Sequence, residues 1–151
     1  MQTLTTEQLS GILNIADDAI ICADAQQNII FFNQGAERVF GWIAHEILGK
    51  ELGLLLPLRY RAQHPDKVGQ FRVSAQPSRK MAERQVIYAV RKDGSEFPAE
   101  ASISKLQGSH GWIYTAILRD VSERQAYERE LEQAREKAEL AMQAKTCSWR
   151  I

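Results

Sequence analysis

The segment from Gln85 to Leu106 constrains the fold of this chain more than any other part of the sequence. It contains two extended runs separated by the turn residues Lys92-Asp93-Gly94-Ser95. In the second run apolar and polar side chains alternate, which is typical of a strand with one buried face. Asp-Gly between two such runs is a strong indication of a β-hairpin, because both residues tolerate the positive φ of a tight turn. The sequence therefore predicts an antiparallel hairpin whose buried face carries Phe97, Ala99, Ala101 and Ile103.

A third strand follows the hairpin and leads into a helix with no turn residue between them. Trp112–Leu118 is rich in β-branched and aromatic residues, which suit a pleated, half-buried surface. From Val121 to Ala141 the chain consists largely of Glu, Arg, Ala, Lys and Leu, without Gly or Pro, as a long helix requires. We expect the strand to form one wall of the core or of a ligand pocket, and the helix to be a mechanical link.

The first 17 residues are predicted to form an amphipathic N-terminal helix. Thr5 or Thr6 can accept the first free backbone N–H groups as the N-cap. Apolar residues recur at helical spacing and form one face: Leu9, Ile12, Leu13 and Ala16. Such a short helix needs a surface to pack against, and both its own core and a partner subunit are open alternatives.

Two strands and several short helices are predicted between this helix and the hairpin. Ala19–Asn33 contains two apolar runs around the polar turn Asp24–Gln27. Gln34–Phe40 and Ala44–Leu48 each have the pattern of a short helix that ends at a glycine. Lys50–Lys80 is less periodic and is interpreted as loops around one short helix. The whole pattern predicts an α+β fold, a five-stranded antiparallel sheet with small helices on one face.

Short motifs along the chain resemble those of one protein family. They are Asn33 and Ala36 with Phe40-Gly41-Trp42, Gly49, Arg91–Ser95 with Phe97-Pro98, and Arg119–Arg124. In this order and spacing they resemble a PAS domain of the S-box sensory type, over roughly Leu9 to Arg124. The resemblance implies the PAS fold and a sensory role in signal transduction, such as in a two-component system, in which the final strand becomes the output helix.

The resemblance and the composition together divide the chain into four parts. In related proteins the output helix commonly continues into an effector, so the resemblance implies a downstream partner such as a histidine kinase or a cyclic-di-GMP enzyme. The expected parts are an N-terminal cap helix (1–17), the PAS sensor domain (18–121), a coiled-coil signalling helix (122–145) and a tail (146–151).

Composition excludes several classes of function. The 19 Lys and Arg balance the 19 Asp and Glu, so no overall field attracts nucleic acid or an anionic membrane. No apolar run approaches the roughly 20 residues of a membrane helix, and Cys22 and Cys147 do not form a disulfide framework. No metal-binding, phosphate-binding or nucleophile signature is found. We therefore expect a cytoplasmic regulatory domain without an enzymatic activity of its own.

One subtype of the family suggests a cofactor. In the haem-binding PAS domains of FixL-like and DosP-like oxygen sensors, a histidine shortly after a Leu-(Ile/Met)-Pro element holds the iron. His64 follows Leu55-Leu56-Pro57 at the matching distance, and a neutral imidazole is a common axial ligand of haem b. The resemblance implies that Arg84, or Gln85 in its place, reaches the bound gas or a propionate. A flavin–cysteine photoadduct is disfavoured because the Asn-Cys-Arg-Phe-Leu run is missing.

The surroundings of His64 are basic. From Arg59 to Asp93 the sequence has nine Lys and Arg against three Asp and Glu. Such a patch suits haem propionates or another anionic ligand, whereas the simpler interpretation is a solvated face whose charge is compensated elsewhere. A domain without any ligand, serving for dimerisation and relay, remains the alternative to a sensor of haem or of an unknown small molecule.

The C-terminal helix has a weak coiled-coil pattern. Asp120, as a candidate N-cap, and Arg124 are predicted to form the joint between strand and helix. Arg124–Glu128 and Arg135–Glu139 are expected ion pairs between successive turns. A single solvated helix is possible, but a parallel homodimer through the N-terminal and C-terminal helices is favoured. Its predicted seam consists of Tyr127, Leu131, Ala134, Ala138 and Ala141.

Overall fold

The computed structural model describes most of the chain. Side chains are described throughout except at 78–79 and 145–148, where only the backbone is. The described residues are 3–62, 78–79 and 86–148.

Two compact units make up the chain, Met1–Asp120 and Val121–Ile151, and each is described by itself. The predicted ligand residues His64 and Arg84, together with the alternative Gln85, lie outside the described residues.

The first unit is built on an antiparallel sheet. Along the sheet the order is β2-β1-β6-β5-β3, and β4 also pairs with β5. The predicted α+β fold with five antiparallel strands is confirmed, and a strand of two residues that pairs with β5 is added to it. The strands are β1 (Ala19–Ala23), β2 (Ile29–Phe32), the added β3 (Ser78–Arg79), β4 (Ile87–Val90), β5 (Glu96–Gly108) and β6 (Gly111–Asp120).

Short helices precede the hairpin, and one long helix follows the sheet. Thr5 is the N-cap of the first helix: its hydroxyl oxygen accepts a hydrogen bond from the Gln8 backbone N–H, and the Gln8 side-chain oxygen accepts one from the Thr5 backbone N–H. Gly41 ends the second helix with a φ of 77°, the left-handed conformation that glycine adopts without strain. The helices are α1 (Thr6–Ile15), α2 (Gln34–Phe40), α3 (Ala44–Ile47), a 3₁₀ turn (Leu52–Leu55), α4 (Leu58–Arg61) and α5 (Ser122–Ser148).

The hairpin of β4 and β5 forms where the sequence predicts it. Gly94 has a φ of 88°, and the Asp93 carboxylate accepts hydrogen bonds from the Ser95 amide at 2.8 Å and hydroxyl at 2.6 Å. These two bonds lower the pKa of Asp93, because they stabilise its ionised form. Along β5 the predicted inward residues Phe97, Ala99 and Ala101 are buried and Ile103 is partly buried.

The core lies between the sheet and α2. The ring centroids of Phe40 and Phe97 are 5.4 Å apart in an edge-to-face arrangement, and those of Phe32 and Phe40 are 6.1 Å apart. Such contacts add to the roughly 1.5–3 kcal/mol that burying a large apolar side chain contributes. Helix α2 thus joins the first hairpin to the second through its last residue.

Asn33 is the one polar side chain that is fully buried among the described residues. Its Oδ1 accepts from the backbone N–H groups of Ile20 and Ala36, at 2.9 and 2.8 Å. Its Nδ2 donates to the carbonyls of Leu13 and Asp18, at 2.7 and 3.2 Å. The amide therefore caps α2 and also ties α1 and the start of β1 to it.

Gly35 allows the backbone to pass closely at this point. A Cβ atom on Gly35 would lie 2.3 Å from the Asp18 carbonyl oxygen and 2.8 Å from that of Ala16. Both obstacles are backbone atoms, so a side chain requires the chain before β1 to move. From the sequence, Gly35 was predicted only as part of a short helix, without this close backbone contact.

Helix α1 has no buried residue. Its C-terminal end is held by the Asn33 bond to Leu13, whereas Leu9, Ile12 and Ile15 are exposed. The amphipathic helix is thus present, and Leu9, Ile12 and Ile15 are exposed in the part of the chain that the structure describes.

The second unit is α5, a continuous helix from Ser122 to Ser148. The helix thus includes the first residues of the segment 146–151, which we predicted to be a tail, and the division of the chain into four parts stays a prediction. Arg124–Glu128 and Arg135–Glu139 approach to 3.8 Å, as the pattern predicts, and Arg135–Glu132 to 2.8 Å. Within the described part of the chain, every helix is too short or too polar to span a membrane.

Candidate functional site

The last residue of β6 is held by an ion pair. Arg91 Nη2 donates to Asp120 Oδ2 at 2.8 Å, and the side chains are 29% and 28% exposed. Charge-assisted bonds are stronger than neutral ones, and partial burial weakens their screening by solvent. The carboxyl end of the sheet's central strand is therefore fastened to the β4–β5 turn.

Arg91 is itself oriented by three other contacts. Its Nε donates to the Val39 carbonyl at 3.1 Å, Nη1 reaches the Ser95 hydroxyl at 3.5 Å, and its guanidinium carbon lies 4.2 Å from the Phe97 ring centroid. The planar guanidinium can satisfy several acceptors in fixed directions. Arg91 thus connects α2, the hairpin turn and the end of β6.

Asp120, the predicted N-cap of the last helix, lies at the end of β6. Val121 stands between it and Ser122, the first residue of α5. The Asp120 carboxylate accepts a hydrogen bond from Arg91, and its capping role stays a prediction.

A second ion pair lies at the same end of the sheet. Arg119 donates to both carboxylate oxygens of Asp18, at 3.3 and 3.1 Å. The hydrogen bonds to Asp18, followed by its charge, raise the pKa of Arg119. These residues border an open groove of about 650 Å³ whose lining is Ala16, Asp17, Asp18, Val39, Leu118, Arg119 and Asp120.

The strand β6 forms a wall of the core over part of its length. Leu118 is buried in the core cluster and Ala116 packs against it, whereas Ile117 points to the other face and is exposed. Strand parity places Tyr114 and Trp112 on the same face as Leu118, and both are partly buried. This face is where the expected ligand wall lies.

The described part of the basic segment is compensated by carboxylates. The Arg59 guanidinium binds Glu96 through two parallel bonds, Nη1–Oε1 at 2.7 Å and Nη2–Oε2 at 3.0 Å. Hydrogen bonding to Glu96, followed by that to Tyr60, raises the pKa of Arg59. Lys92 pairs with Glu46 at 2.9 Å, and this hydrogen bond lowers the pKa of Glu46.

Trp42 stands beside this region. Lys50 Nζ and Lys92 Nζ lie 5.3 and 5.2 Å from the Trp42 ring centroid, at distances typical of cation–π contacts. The Trp42 Nε1 atom is buried and has no hydrogen-bond partner among the described residues.

The predicted metal and cofactor ligands receive no structural description. His64 and Arg84 lie outside the described residues, and among those described no group of three or more His, Cys, Asp and Glu could hold a metal ion. The haem prediction for His64 and Arg84 therefore stays a prediction.

The predicted seam residues are presented on the surface of α5. Leu131 is 70% exposed and Tyr127 is exposed as well. Ala134, Ala138 and Ala141 are also exposed. The seam is thus available to a partner helix, and dimerisation itself stays a prediction.

Sequence reasoning missed three residues of this site. Arg91 and Asp120 were each part of a recognised motif, but their 29-residue separation conceals the pair. Arg59 was counted among the cations of the basic segment, but Glu96 lies just beyond that segment and was not counted as its partner. The available signal was the surplus of cations before Glu96, the first residue of β5.

The fold and these motifs agree with one known family. Residues 17–123 match the PAS domain family. The chain belongs to the PAS domain family. The sheet and the helix α2, with Asn33 and Gly41 at its two ends, thus belong to a PAS domain, which is a sensory module.

Curated relatives are sensors and kinases. The PAS domain is 30% identical over 125 residues to the sensor protein FixL of Bradyrhizobium diazoefficiens, covering 83% of this chain and 25% of that protein. It is 26% identical over 102 residues to the oxygen sensor protein DosP of Escherichia coli, covering 68% and 13%. It is 30% identical over 140 residues to the cell-division control histidine kinase PdhS of Brucella ovis, covering 93% and 13%. The chain spans a quarter or less of each.

Solved structures agree on the fold. The PAS domain of a protein from Colwellia psychrerythraea superposes with a TM-score of 0.65 at 22% identity, covering 78% of this chain and 97% of that one. At this identity the likeness concerns the fold alone.

Proposed function

We propose that this PAS domain is the cytoplasmic sensory part of a signal-transduction protein and relays a signal through α5. The observation that carries the proposal is the junction of strand and helix: Arg91 holds β6 at Asp120, and the long helix α5 begins after one intervening residue, Val121. A change in the core face of the sheet can therefore reach the helix through a single strand. The named sensors and kinases among its relatives support the same role.

The ligand that we propose is haem b, with His64 as axial ligand and Arg84 as the residue near the bound gas or a propionate. Leu55 and Pro57, the element that precedes His64 in the haem-binding subtype, are buried in this structure. These two buried residues lie directly before α4, so the chain leaves the core a few residues before His64. A bound haem would supply an iron atom to which a diatomic gas binds.

Absorption spectroscopy of the purified chain after reconstitution with hemin tests this proposal. We expect a Soret band that is lost in His64→Ala, because the iron loses its axial ligand. His110→Ala is the matched control, since His110 lies in the exposed turn between β5 and β6, and its spectrum should equal that of the wild type. A spectrum of protein alone after reconstitution would contradict haem binding.

A second function is favoured by one observation. The aromatic cluster of Phe32, Phe40 and Phe97 fills the core next to the signalling joint, as it would in a domain that binds nothing and serves for dimerisation and relay. This alternative predicts no change in thermal midpoint across hemin, flavin nucleotides and small carboxylic acids. A midpoint that rises with any one of them would favour a ligand-binding sensor.

We further propose that the domain acts as a parallel homodimer through α1 and α5 and controls an effector such as a histidine kinase or a cyclic-di-GMP enzyme. The exposed apolar residues of α1 and the exposed seam of α5 support a second copy as partner. We assign the domain no catalytic step of its own.

A further inference from the structure

Two ion pairs hold the β4–β5 hairpin near its turn, from different directions. One joins Glu96, the first residue of β5, to Arg59 on α4. The other joins Arg91, next to β4, to Asp120 at the end of β6. The hairpin therefore lies between α4, which follows Leu55–Pro57, and β6, which leads to α5.

The Arg59 contact fixes α4 to both strands of the hairpin. Its two parallel bonds to Glu96 restrict the orientation of the guanidinium as well as its distance. The Arg59 guanidinium carbon also lies 5.7 Å from the ring of Tyr88 on β4 and 4.7 Å from the ring of Tyr60 on α4. A shift of α4 must either break this set of contacts or carry the hairpin with it.

Ser95 connects this contact to the second ion pair. Its carbonyl accepts from the Arg91 backbone N–H at 2.9 Å, and its hydroxyl faces Arg91 Nη1 at 3.5 Å. Ser95 is bonded covalently to Glu96. The path from α4 to Asp120 thus consists of one ion pair, one peptide bond, one backbone hydrogen bond and a second ion pair.

We infer that Arg59–Glu96 and Arg91–Asp120 are energetically coupled through Ser95, so that α4 and the end of β6 move as one. The use of this route for signalling rests on the proposed sensory function, whereas the coupling itself does not. Arg59 and Glu96 are positioning residues: they act on Asp120 through the hairpin.

The exposure of the pair suits a contact that opens and closes. The Arg59 and Glu96 side chains are 50% and 40% exposed, so solvent compensates the charges when they separate. Lys92 and Glu46 provide a comparison with nearly the same exposure, 48% and 35%, at the same turn. That pair joins the turn to α3 and does not involve α4, so it should have no part in the coupling.

Hydrogen–deuterium exchange of the full chain, without any ligand, tests the coupling. Arg59→Gln should raise the exchange rates of the amides at 117–120 by about two- to fivefold, the range for one exposed ion pair. Asp120→Asn should raise those at 58–61 by the same factor, because coupling is reciprocal. Lys92→Gln is the control and should leave both segments as in the wild type.

The double variant Arg59→Gln with Asp120→Asn decides between coupling and independence. If the two ion pairs are coupled, the exchange rates of the amides at 117–120 in the double variant should rise by less than the product of the fold-increases in the two single variants. A purely multiplicative rise would overturn the inference, as would an equal effect of Lys92→Gln. The result does not depend on hemin, so failure of haem binding and failure of the coupling are distinguishable.

Discussion

Single residues decide how the elements of this PAS domain meet. Asn33 uses both of its oxygen acceptor sites and both amide hydrogens on backbone groups of four different residues. Gly35 permits the contact of α2 with the chain before β1, and Arg91 binds three structural elements at once. Each acts through a specific shape or donor geometry, so related residue types do not replace it.

At the residue scale we predict that Asn33→Ala lowers the free energy of unfolding by about 2–4 kcal/mol. The substitution leaves buried N–H and C=O groups without partners, each at a cost of about 1–3 kcal/mol, part of which rearrangement recovers. Urea denaturation followed by circular dichroism measures the loss.

Asn14→Ala is the matched control for this prediction. Asn14 accepts one long hydrogen bond, 3.4 Å from the Gln34 amide, at an exposed position, so its loss should cost less than about 1 kcal/mol. Equal effects of the two variants would show that the Asn33 network contributes no more than a surface contact.

At the scale of elements, local patterns and long-range contacts have different roles. The β4–β5 turn, the caps of α1 and α2 and the i,i+4 ion pairs of α5 involve residues close in sequence. Their formation requires little from the rest of the chain. In α5, by contrast, the apolar side chains that the structure describes, up to residue 144, are exposed, and a helix of this composition is marginally stable alone.

We therefore predict that α5 carries the dimer contact and that Leu131→Arg dissociates the dimer. Each buried leucine contributes about 1.5–3 kcal/mol, so the loss of two at the symmetric seam should raise the dissociation constant at least about a hundredfold. Sedimentation equilibrium of the full chain measures this constant.

Leu140→Arg provides the control on the same helix. Leu140 is 65% exposed, close to the 70% of Leu131, but it lies off the predicted heptad seam. Its variant should dimerise like the wild type. If both variants dissociate equally, or if the wild type is a monomer, the proposed seam is wrong.

At the scale of the molecule, strand β6 lies in the middle of the sheet and precedes α5 in the chain. It pairs with β5 along its length and with β1 from Tyr114 to Leu118. Its last residue is tied to α2 and α4 through Arg91 and the hairpin turn. Contacts from several elements thus converge on β6.

We predict that Asp120→Ala separates ligand binding from output. With hemin as the probe, the dissociation constant of hemin from the variant should differ from that of the wild type by less than about threefold, or below 1 kcal/mol. The effect of hemin on amide exchange along α5 should disappear in the variant. Spectroscopic titration and exchange on the same sample measure the two quantities. If hemin binding fails to the same extent as the output, Asp120 serves only to hold the fold.

Local patterns in the sequence specify the elements of this fold. The hairpin at Asp93-Gly94, the helix closed by Gly41, the alternation along β5 and the uninterrupted helix after β6 were all predictable, because hydrophobic period, caps and turn residues act over a few residues. These patterns also sufficed for the order of the motifs that places the chain among PAS domains.

Which charged side chains meet depends on the tertiary fold. Arg91 and Asp120 are 29 residues apart and Arg59 and Glu96 are 37 apart, and neither spacing has a local signature. The sheet brings them together because β6 returns beside β5 and because α4 packs near the start of that strand. Local physics thus specifies the strand and the helix, whereas the ion pairs between residues distant in sequence depend on the folded sheet.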